Sequence, residues 1–269
     1  MKPGPLLDQS RVDAFDRDGA VFIPGLFAEW VDLLRAGVEQ NMAEPGPYAS
    51  ENYREGASGR FFDDYCNWNR IEAFETVIRQ SDVAAVAALL MRSDRVQLFH
   101  DHVLVKEPGT TLATPWHQDA PYYFVDGQQT VSFWCPLDPV NDSTLRLVAG
   151  SHRWEKPVQP IRWATEKGFY EGDTDYRPIP DPDAEGMQIL EWAMQPGDAV
   201  AFDFRVLHGA RGNLSAERRR AFSLRLVGDD ARYLARPGRT SPPYPGHGMR
   251  DGDRLREDWF PVIYSAGSV

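Results

Sequence analysis

From about residue 96 onward the chain is a succession of short runs rich in β-branched and aromatic residues, separated by turn signals, and this pattern constrains the fold most. Residues 96–105, 130–137 and 221–227 read as strands, and Pro196-Gly197-Asp198 is a turn that opens another. The N-terminal third reads differently. Asp8 or Ser10 caps a short helix that Gly19 stops, 21–23 is a first strand, and 28–42 has helical periodicity with Trp30, Leu33, Leu34 and Val38 on one face. Residues 71–92 predict two helices broken near Ser81-Asp82. Helices confined to the N-terminal third and short antiparallel strands after it predict a mainly β fold. The expected form is a double-stranded β-helix, the cupin-like jelly roll, with N-terminal helices.

The 269 residues are 42% hydrophobic, ample for one core, and no composition break or repeat divides them, so a single domain over 1–269 is expected. Residues 44–60 read as a loop that could cover a site, and 155–186 as a long insertion containing Trp163, Phe169, Tyr170 and Tyr176. The Pro/Gly-rich tail, 236–269, is expected to pack back through Trp259, Phe260 and Tyr264, leaving His247 solvated.

A net charge of −11 argues against nucleic acid and anionic membranes as partners and disfavours a polyanionic substrate such as a CoA thioester. Two cysteines, Cys66 and Cys135, make no disulfide framework and read as buried thiols. With no leader pattern and no apolar run approaching eighteen residues, a cytoplasmic protein is expected. Nothing in the sequence fixes the oligomeric state.

Chemistry concentrates at His117-Gln118-Asp119 and, far downstream, at His208. On a strand, side chains two residues apart share a face, which would set His117 beside Asp119. With His208 added, the set is a 2-His-1-carboxylate triad, which suits Fe(II) and leaves three coordination positions open. The bland alternatives are a surface His–Asp pair and a capping or core histidine at 208. Of the three arginines at 218–220, strand alternation lets at most one or two face inward.

These residues and their surroundings resemble the phytanoyl-CoA dioxygenase (PhyH) family of Fe(II)- and 2-oxoglutarate-dependent oxygenases. The resemblance runs from Phe15-Asp16-Arg17-Asp18-Gly19 through Trp116-His117-Gln118-Asp119 and Leu145-Arg146-Leu147-Val148-Ala149-Gly150-Ser151-His152 to His208-Gly209 and Arg219. It implies that His117, Asp119 and His208 bind iron, and that Arg219, eleven residues after His208, anchors the far carboxylate of 2-oxoglutarate. An Arg fork meets a carboxylate in bidentate geometry, where Lys offers a point charge. The resemblance also implies that Trp134 lines the cosubstrate pocket and that His102 touches the cosubstrate. A satisfied core histidine is the other reading of His102, and ordinary core packing that of Trp134. Arg225 is the alternative anchor, and His152 reads as structural.

Two departures stand out. Ala210 replaces a serine that some members place two residues after the distal histidine, and Asn141-Asp142-Ser143-Thr144 replaces a Gly-containing stretch. The carboxylate of Asp119 disfavours halogenation, which needs its position free. The implied activity is oxidation of a small organic molecule, foremost hydroxylation, with release of succinate and CO2. The alternatives are desaturation, cyclisation or epimerisation by the same cofactors, or a non-redox metal-binding cupin-like protein. Trp116, Tyr122 and Tyr123 near the expected mouth suit an apolar or ring-bearing substrate.

Overall fold

The computed structural model describes residues 7–52, 55–163, 167–170 and 175–267. Parts of the loop over 44–60, of the insertion over 155–186 and of the tail therefore lie outside the described residues. In chain order the elements are α1 (Gln9–Asp18), β1 (Ala20–Ile23), α2 (Val31–Ala43), β2 (Ser50–Asn52), β3 (Phe61–Tyr65), α3 (Glu72–Gln80), α4 (Val83–Met91) and β4 (Arg95–Lys106). After these come β5 (Thr114–His117), β6 (Val125–Asp126), β7 (Thr130–Pro136), β8 (Leu145–Val148), β9 (Ile189–Leu190), β10 (Ala199–Phe202) and β11 (His208–Ala210). The last three are β12 (Arg219–Val227), β13 (Arg232–Tyr233) and β14 (Val262–Ser265).

The predicted helix ends are built as their chemistry requires. The Asp8 side chain accepts from the Arg11 N–H at the N-cap of α1. Gly19 closes that helix at φ 76° with its N–H on the Phe15 carbonyl. A Cβ there would lie 2.3 Å from His152 Nδ1, so glycine also makes room for that ring and gives His152 its structural place. The buried face of α2 is Val31, Leu34, Gly37, Val38 and Asn41. Leu33 is instead exposed, because Ala28–Trp30 forms a separate 3-10 turn and the α-helical phase starts only at Val31.

The strands form an eight-stranded antiparallel sheet in the order β1-β10-β7-β12-β4-β3-β2, with β14 also on β4. A four-stranded sheet, β5-β11-β8-β9, and a two-stranded pair, β13-β6, complete the set. No pairing joins the large sheets into a closed barrel among the described residues. The architecture is thus a mixed α/β arrangement of several sheets with N-terminal helices, consistent with the double-stranded β-helix superfamily. The closure expected of a barrel is absent because the chain crosses between sheets through turns, as at 203–207, and makes no ladder there.

Alternation along β12 divides the interior. Phe222, Leu224 and Leu226 join the core under the helices with Phe74, Val77 and Phe133. Ala221 lies in a second core with Leu104, Trp134, Leu147 and Phe202, between the two large sheets. On β4 the register slips where His100 pairs with Arg225 but Leu98 with Leu226, leaving Phe99 as an extra residue. The slip lets Val96 and Leu98, and then Val103 and Val105, all face the helices. Beyond it the even-numbered residues, His100 and His102 among them, look toward the space between the sheets.

The tail packs back as expected, with Phe260 buried against Phe99 and Phe124. His247 is half-buried on the Tyr233 ring (centroids 4.8 Å) and so is less solvated than expected. Cys135 is buried, whereas Cys66 is only half-buried, 3.2 Å from the Tyr244 hydroxyl. No helix of the described residues is long and apolar enough to cross a membrane.

Candidate active site

Strand register brings the two predicted histidines together. β11 pairs antiparallel with β5 so that His208 lies directly opposite His117, and the ring centroids are 4.2 Å apart. Each Nδ1 faces a carbonyl two residues back: Pro115 O at 2.8 Å from His117 and Val206 O at 3.0 Å from His208. A carbonyl only accepts, so each Nδ1 carries the hydrogen and each Nε2 presents a lone pair. Both Nε2 atoms point toward Asp119 Oδ1, at 3.8 Å and 3.9 Å.

Asp119 arrives by a different route from the one expected. β5 stops at His117, and Asp119 has helical backbone angles (φ −69°, ψ −43°) at the entry of a 3-10 turn containing Pro121. A strand end followed by a turn, and not period-two alternation, sets the carboxylate beside the imidazoles. Its Oδ2 is held by Ser132 Oγ at 3.0 Å and by Arg225 Nε at 3.3 Å, which leaves Oδ1 for a metal.

The ligand atoms of His117, Asp119 and His208 lie within 4.8 Å of one another, and all three residues are buried. Burial and the neighbouring His208 push the His117 imidazole down to about 3, and burial lowers His208 as well. Burial alone would raise Asp119, but Arg225 and the two imidazoles hold it well below the usual carboxylate range. At neutral pH the set is two neutral imidazoles and one carboxylate, the protonation states a divalent metal needs. The donors fit Fe(II).

Arg219 enters the same cavity from the start of β12 and is 2% exposed. Its Nε and Nη2 have no hydrogen-bond partner, and its guanidinium lies over the Trp134 ring, 5.6 Å from the centroid. Burial lowers Arg219 to about 10, so it stays charged at neutral pH. Arg218 and Arg220 point the other way and are half-buried in ion pairs, Arg218 with Glu107 (2.8 Å) and Arg220 with Asp138 (2.6 Å). The buried fork of Arg219 is a site for a carboxylate that none of the described residues supplies.

Arg225, the alternative anchor, is engaged elsewhere. It donates to Tyr123 OH (3.1 Å) and Ser223 Oγ (2.6 Å) and pairs with Asp119, so it orients a metal ligand. His102 lines the cavity, and its Nε2 is 3.0 Å from Asp63 Oδ2, where the ring must donate. A hydrogen bond from His102 to a ligand made only of acceptors would then need the ring protonated at Nδ1 too.

The cavity has a volume of about 250 Å³. Leu104, Trp134, Leu145, Phe202 and Ala210 surround its Arg219 end, and Tyr122, Tyr123, Trp163 and Phe169 its aromatic wall. Trp163 and Phe169 come from the long insertion. Tyr122 ties that insertion to the site, because its hydroxyl donates to the Ile161 carbonyl and accepts from the Ile161 N–H, both at 2.8 Å. The Trp163 ring meets His117 edge-on at 5.1 Å. Trp116 is not in the wall; it sits under Arg146 (5.2 Å) and packs with the Val148 and Leu207 cluster.

Sequence reasoning missed Ser132, Asp63 and the orienting role of Arg225. Ser132 and Arg225 are cross-strand partners on β7 and β12, so only the register could have revealed them.

Comparison with known proteins agrees with this geometry. Residues 15–221 match the family model described as phytanoyl-CoA dioxygenase (PhyH). The ectoine dioxygenase of Stutzerimonas stutzeri (strain A1501) is 27% identical over 224 residues, spanning 77% of this chain and 72% of that one. Among solved structures, the epimerase SnoN from nogalamycin biosynthesis, in complex with Fe3+, α-ketoglutarate and nogalamycin RO, superposes with TM-score 0.76 at 22% identity, covering 95% of this chain and 98% of that one. The carbocyclase SnoK from nogalamycin biosynthesis gives 0.75 at 22% identity, covering 95% and 96%. At such identity these two likenesses concern the fold.

Proposed function

The chain belongs to the phytanoyl-CoA dioxygenase (PhyH) family of Fe(II)- and 2-oxoglutarate-dependent oxidoreductases, and from that premise we propose that it oxidises a C–H bond of a small, ring-bearing molecule. The observation that carries the reading is the unpaired Arg219 guanidinium in the same cavity as a deprotonated His–His–Asp set.

His117, Asp119 and His208 hold the iron, with Ser132 and Arg225 fixing the carboxylate so that Oδ1 stays turned inward. Arg219 takes the far carboxylate of 2-oxoglutarate, and Trp134 packs against that guanidinium. His102, paired with Asp63, forms the neighbouring wall and is the remaining candidate for a cosubstrate contact. Bound iron, with 2-oxoglutarate and O2, supplies the power to remove a hydrogen atom from carbon, with succinate and CO2 released. The chain positions the substrate and keeps bulk water away with Tyr122, Tyr123, Trp163 and Phe169.

Hydroxylation, expected from the sequence, widens here to a class of outcomes. The named relatives include a dioxygenase, an epimerase and a carbocyclase, which supports the broader reading. The mass of the product separates them: one oxygen gained for hydroxylation, two hydrogens lost for ring closure or desaturation, no change for epimerisation. A CoA thioester is not carried over as substrate, in view of the net charge of −11. We read the facing sheets as an open double-stranded β-helix, one domain over 1–269, in a cytoplasmic protein.

The test is an anaerobic titration. Fe(II) and then 2-oxoglutarate are added to the metal-free protein while the visible spectrum is recorded. A weak charge-transfer band that needs both additions, and is lost in Arg219→Ala and His208→Ala, is the expected result. Iron binding without a band would refute chelation by 2-oxoglutarate and favour a non-redox metal protein.

A further inference from the structure

On the cavity face of β4, two residues before His102, stands a histidine that the reading above leaves without a task. His100 is 2% exposed, lines the cavity that holds the triad, and faces Arg225 across the β4–β12 register. Its Nδ1 is 3.1 Å from the Asp101 carbonyl oxygen. Since a carbonyl can only accept, the ring hydrogen is on Nδ1. Burial, with the Arg225 cation beside it, keeps the ring neutral by pushing it well below the usual imidazole range. A neutral ring protonated on Nδ1 has a bare lone pair on Nε2.

That lone pair has no donor. Nε2 is buried and has no hydrogen-bond partner among the described residues. The Tyr65 hydroxyl, paired with Ser241 Oγ at 3.2 Å, and the Tyr123 hydroxyl, which accepts from Arg225 Nε, both lie beyond hydrogen-bond distance of it. A buried acceptor left unpaired is costly, and a ligand donor would remove that cost. 2-Oxoglutarate cannot be that ligand: as a dianion it has two carboxylates and a ketone, all acceptors, and O2 has no hydrogen at all. The missing partner is then a water or the molecule being oxidised, and the experiment below separates the two.

We propose that His100 is a substrate-recognition residue whose Nε2 accepts a hydrogen bond from a hydroxyl group of the substrate, which makes the substrate class a ring-bearing alcohol or phenol. The ring follows from the aromatic wall of Tyr122, Tyr123, Trp163 and Phe169, and the hydroxyl from the acceptor set into it. The inference rests on the iron and 2-oxoglutarate reading above.

The experiment uses 2-naphthol and its methyl ether, 2-methoxynaphthalene, as matched probes that differ in the donor. Each is titrated anaerobically into protein loaded with Fe(II) and 2-oxoglutarate, and its dissociation constant is read from the change in the charge-transfer band. Wild type should bind the naphthol about ten-fold more tightly than the ether, the worth of one hydrogen bond to a buried acceptor. His100→Phe should bind both equally. His100→Gln, which returns a carbonyl acceptor, should recover part of the preference. Equal affinities in wild type, binding of neither probe, or a preference that survives in His100→Phe would each overturn the proposal. Equal affinities are also what a metal-bound water occupying the His100 lone pair would give. The wild-type comparison needs no variant to fold. If the band does not form before any probe is added, the cosubstrate reading itself has failed, and this inference falls with its premise.

Discussion

Replacing Arg219 by methionine should uncouple stability from cosubstrate binding, because the structure gives this arginine a cost in the free protein, and the function proposed above gives it a partner in 2-oxoglutarate. Burial lowers its guanidinium from 12.5 to about 10, a penalty on the charged form of roughly 3 kcal/mol. Against this stands the contact with Trp134 at 5.6 Å, worth about 0.5–2 kcal/mol. Methionine fills similar space without a charge. The metal-loaded variant without cosubstrate should therefore be about 1–2.5 kcal/mol more stable than wild type, a rise of about 2–10 °C in melting temperature for a chain of this size.

Cosubstrate reverses the order. At a 2-oxoglutarate concentration of about 100 times the wild-type Kd, wild type gains about 2.7 kcal/mol, or about 5–10 °C. Loss of two charge-assisted hydrogen bonds, each worth about 1.5–3 kcal/mol, raises the Kd of the variant at least 100-fold. At the same concentration its gain falls to about 0.4 kcal/mol, near 1 °C. Anaerobic melting of both proteins with Fe(II), with and without 2-oxoglutarate, reads all four states. A full cosubstrate shift in Arg219→Met would refute the anchor. A variant that is more than about 2 kcal/mol less stable than wild type in the absence of cosubstrate would refute the premise that the guanidinium is unpaired.

Three further outcomes follow from particular contacts. Arg225→Met removes the cation beside Asp119 (3.3 Å) and should weaken iron binding about 10–100-fold in an anaerobic Fe(II) titration; unchanged affinity would mean Ser132 alone fixes the carboxylate. Asp101, fully buried on β4, is raised by burial from 3.8 to about 7 despite the N–H groups of Trp68 and Asn67, from which it accepts. The folded state thus holds a proton that the unfolded chain releases near pH 4, so this residue makes stability fall as pH rises from about 4 to about 7. Urea midpoints at pH 5 and pH 7.5 should show wild type losing up to roughly 3 kcal/mol more than Asp101→Asn, and parallel losses would contradict the shift. Gly37→Ala sets a Cβ 2.6 Å from the Phe74 ring where α2 crosses α3, and should cost about 1–3 kcal/mol in urea unfolding while the charge-transfer band is unchanged.

What the sequence by itself determined is local. The cap at Asp8 or Ser10, which the structure places at Asp8, the Gly19 stop and the break at Ser81-Asp82 are decided by backbone chemistry within a few residues, and all three stand in the structure. The strand runs were legible for the same reason, as was the alternation that lets only one or two of the three arginines face inward; the family spacing, not the alternation, singled out Arg219. The identity of the three metal ligands was legible from residue type and family resemblance, although the route to Asp119 was not: a strand alternates, and this segment leaves its strand at His117.

Tertiary structure decided everything that depends on which strand lies beside which. His117 faces His208 because β11 pairs with β5 in one register, and a single-residue shift would turn one ring away. Arg225 stands as the alternative cosubstrate anchor until β7 sets Ser132 opposite it and the 3-10 turn brings Asp119 into reach. His100 and His102 share a face in any strand, but whether that face meets helices or the cavity was fixed by the extra residue at Phe99. Long-range register is a property of the packed sheets, because each strand gains its position only from the hydrogen bonds and buried faces of its neighbours.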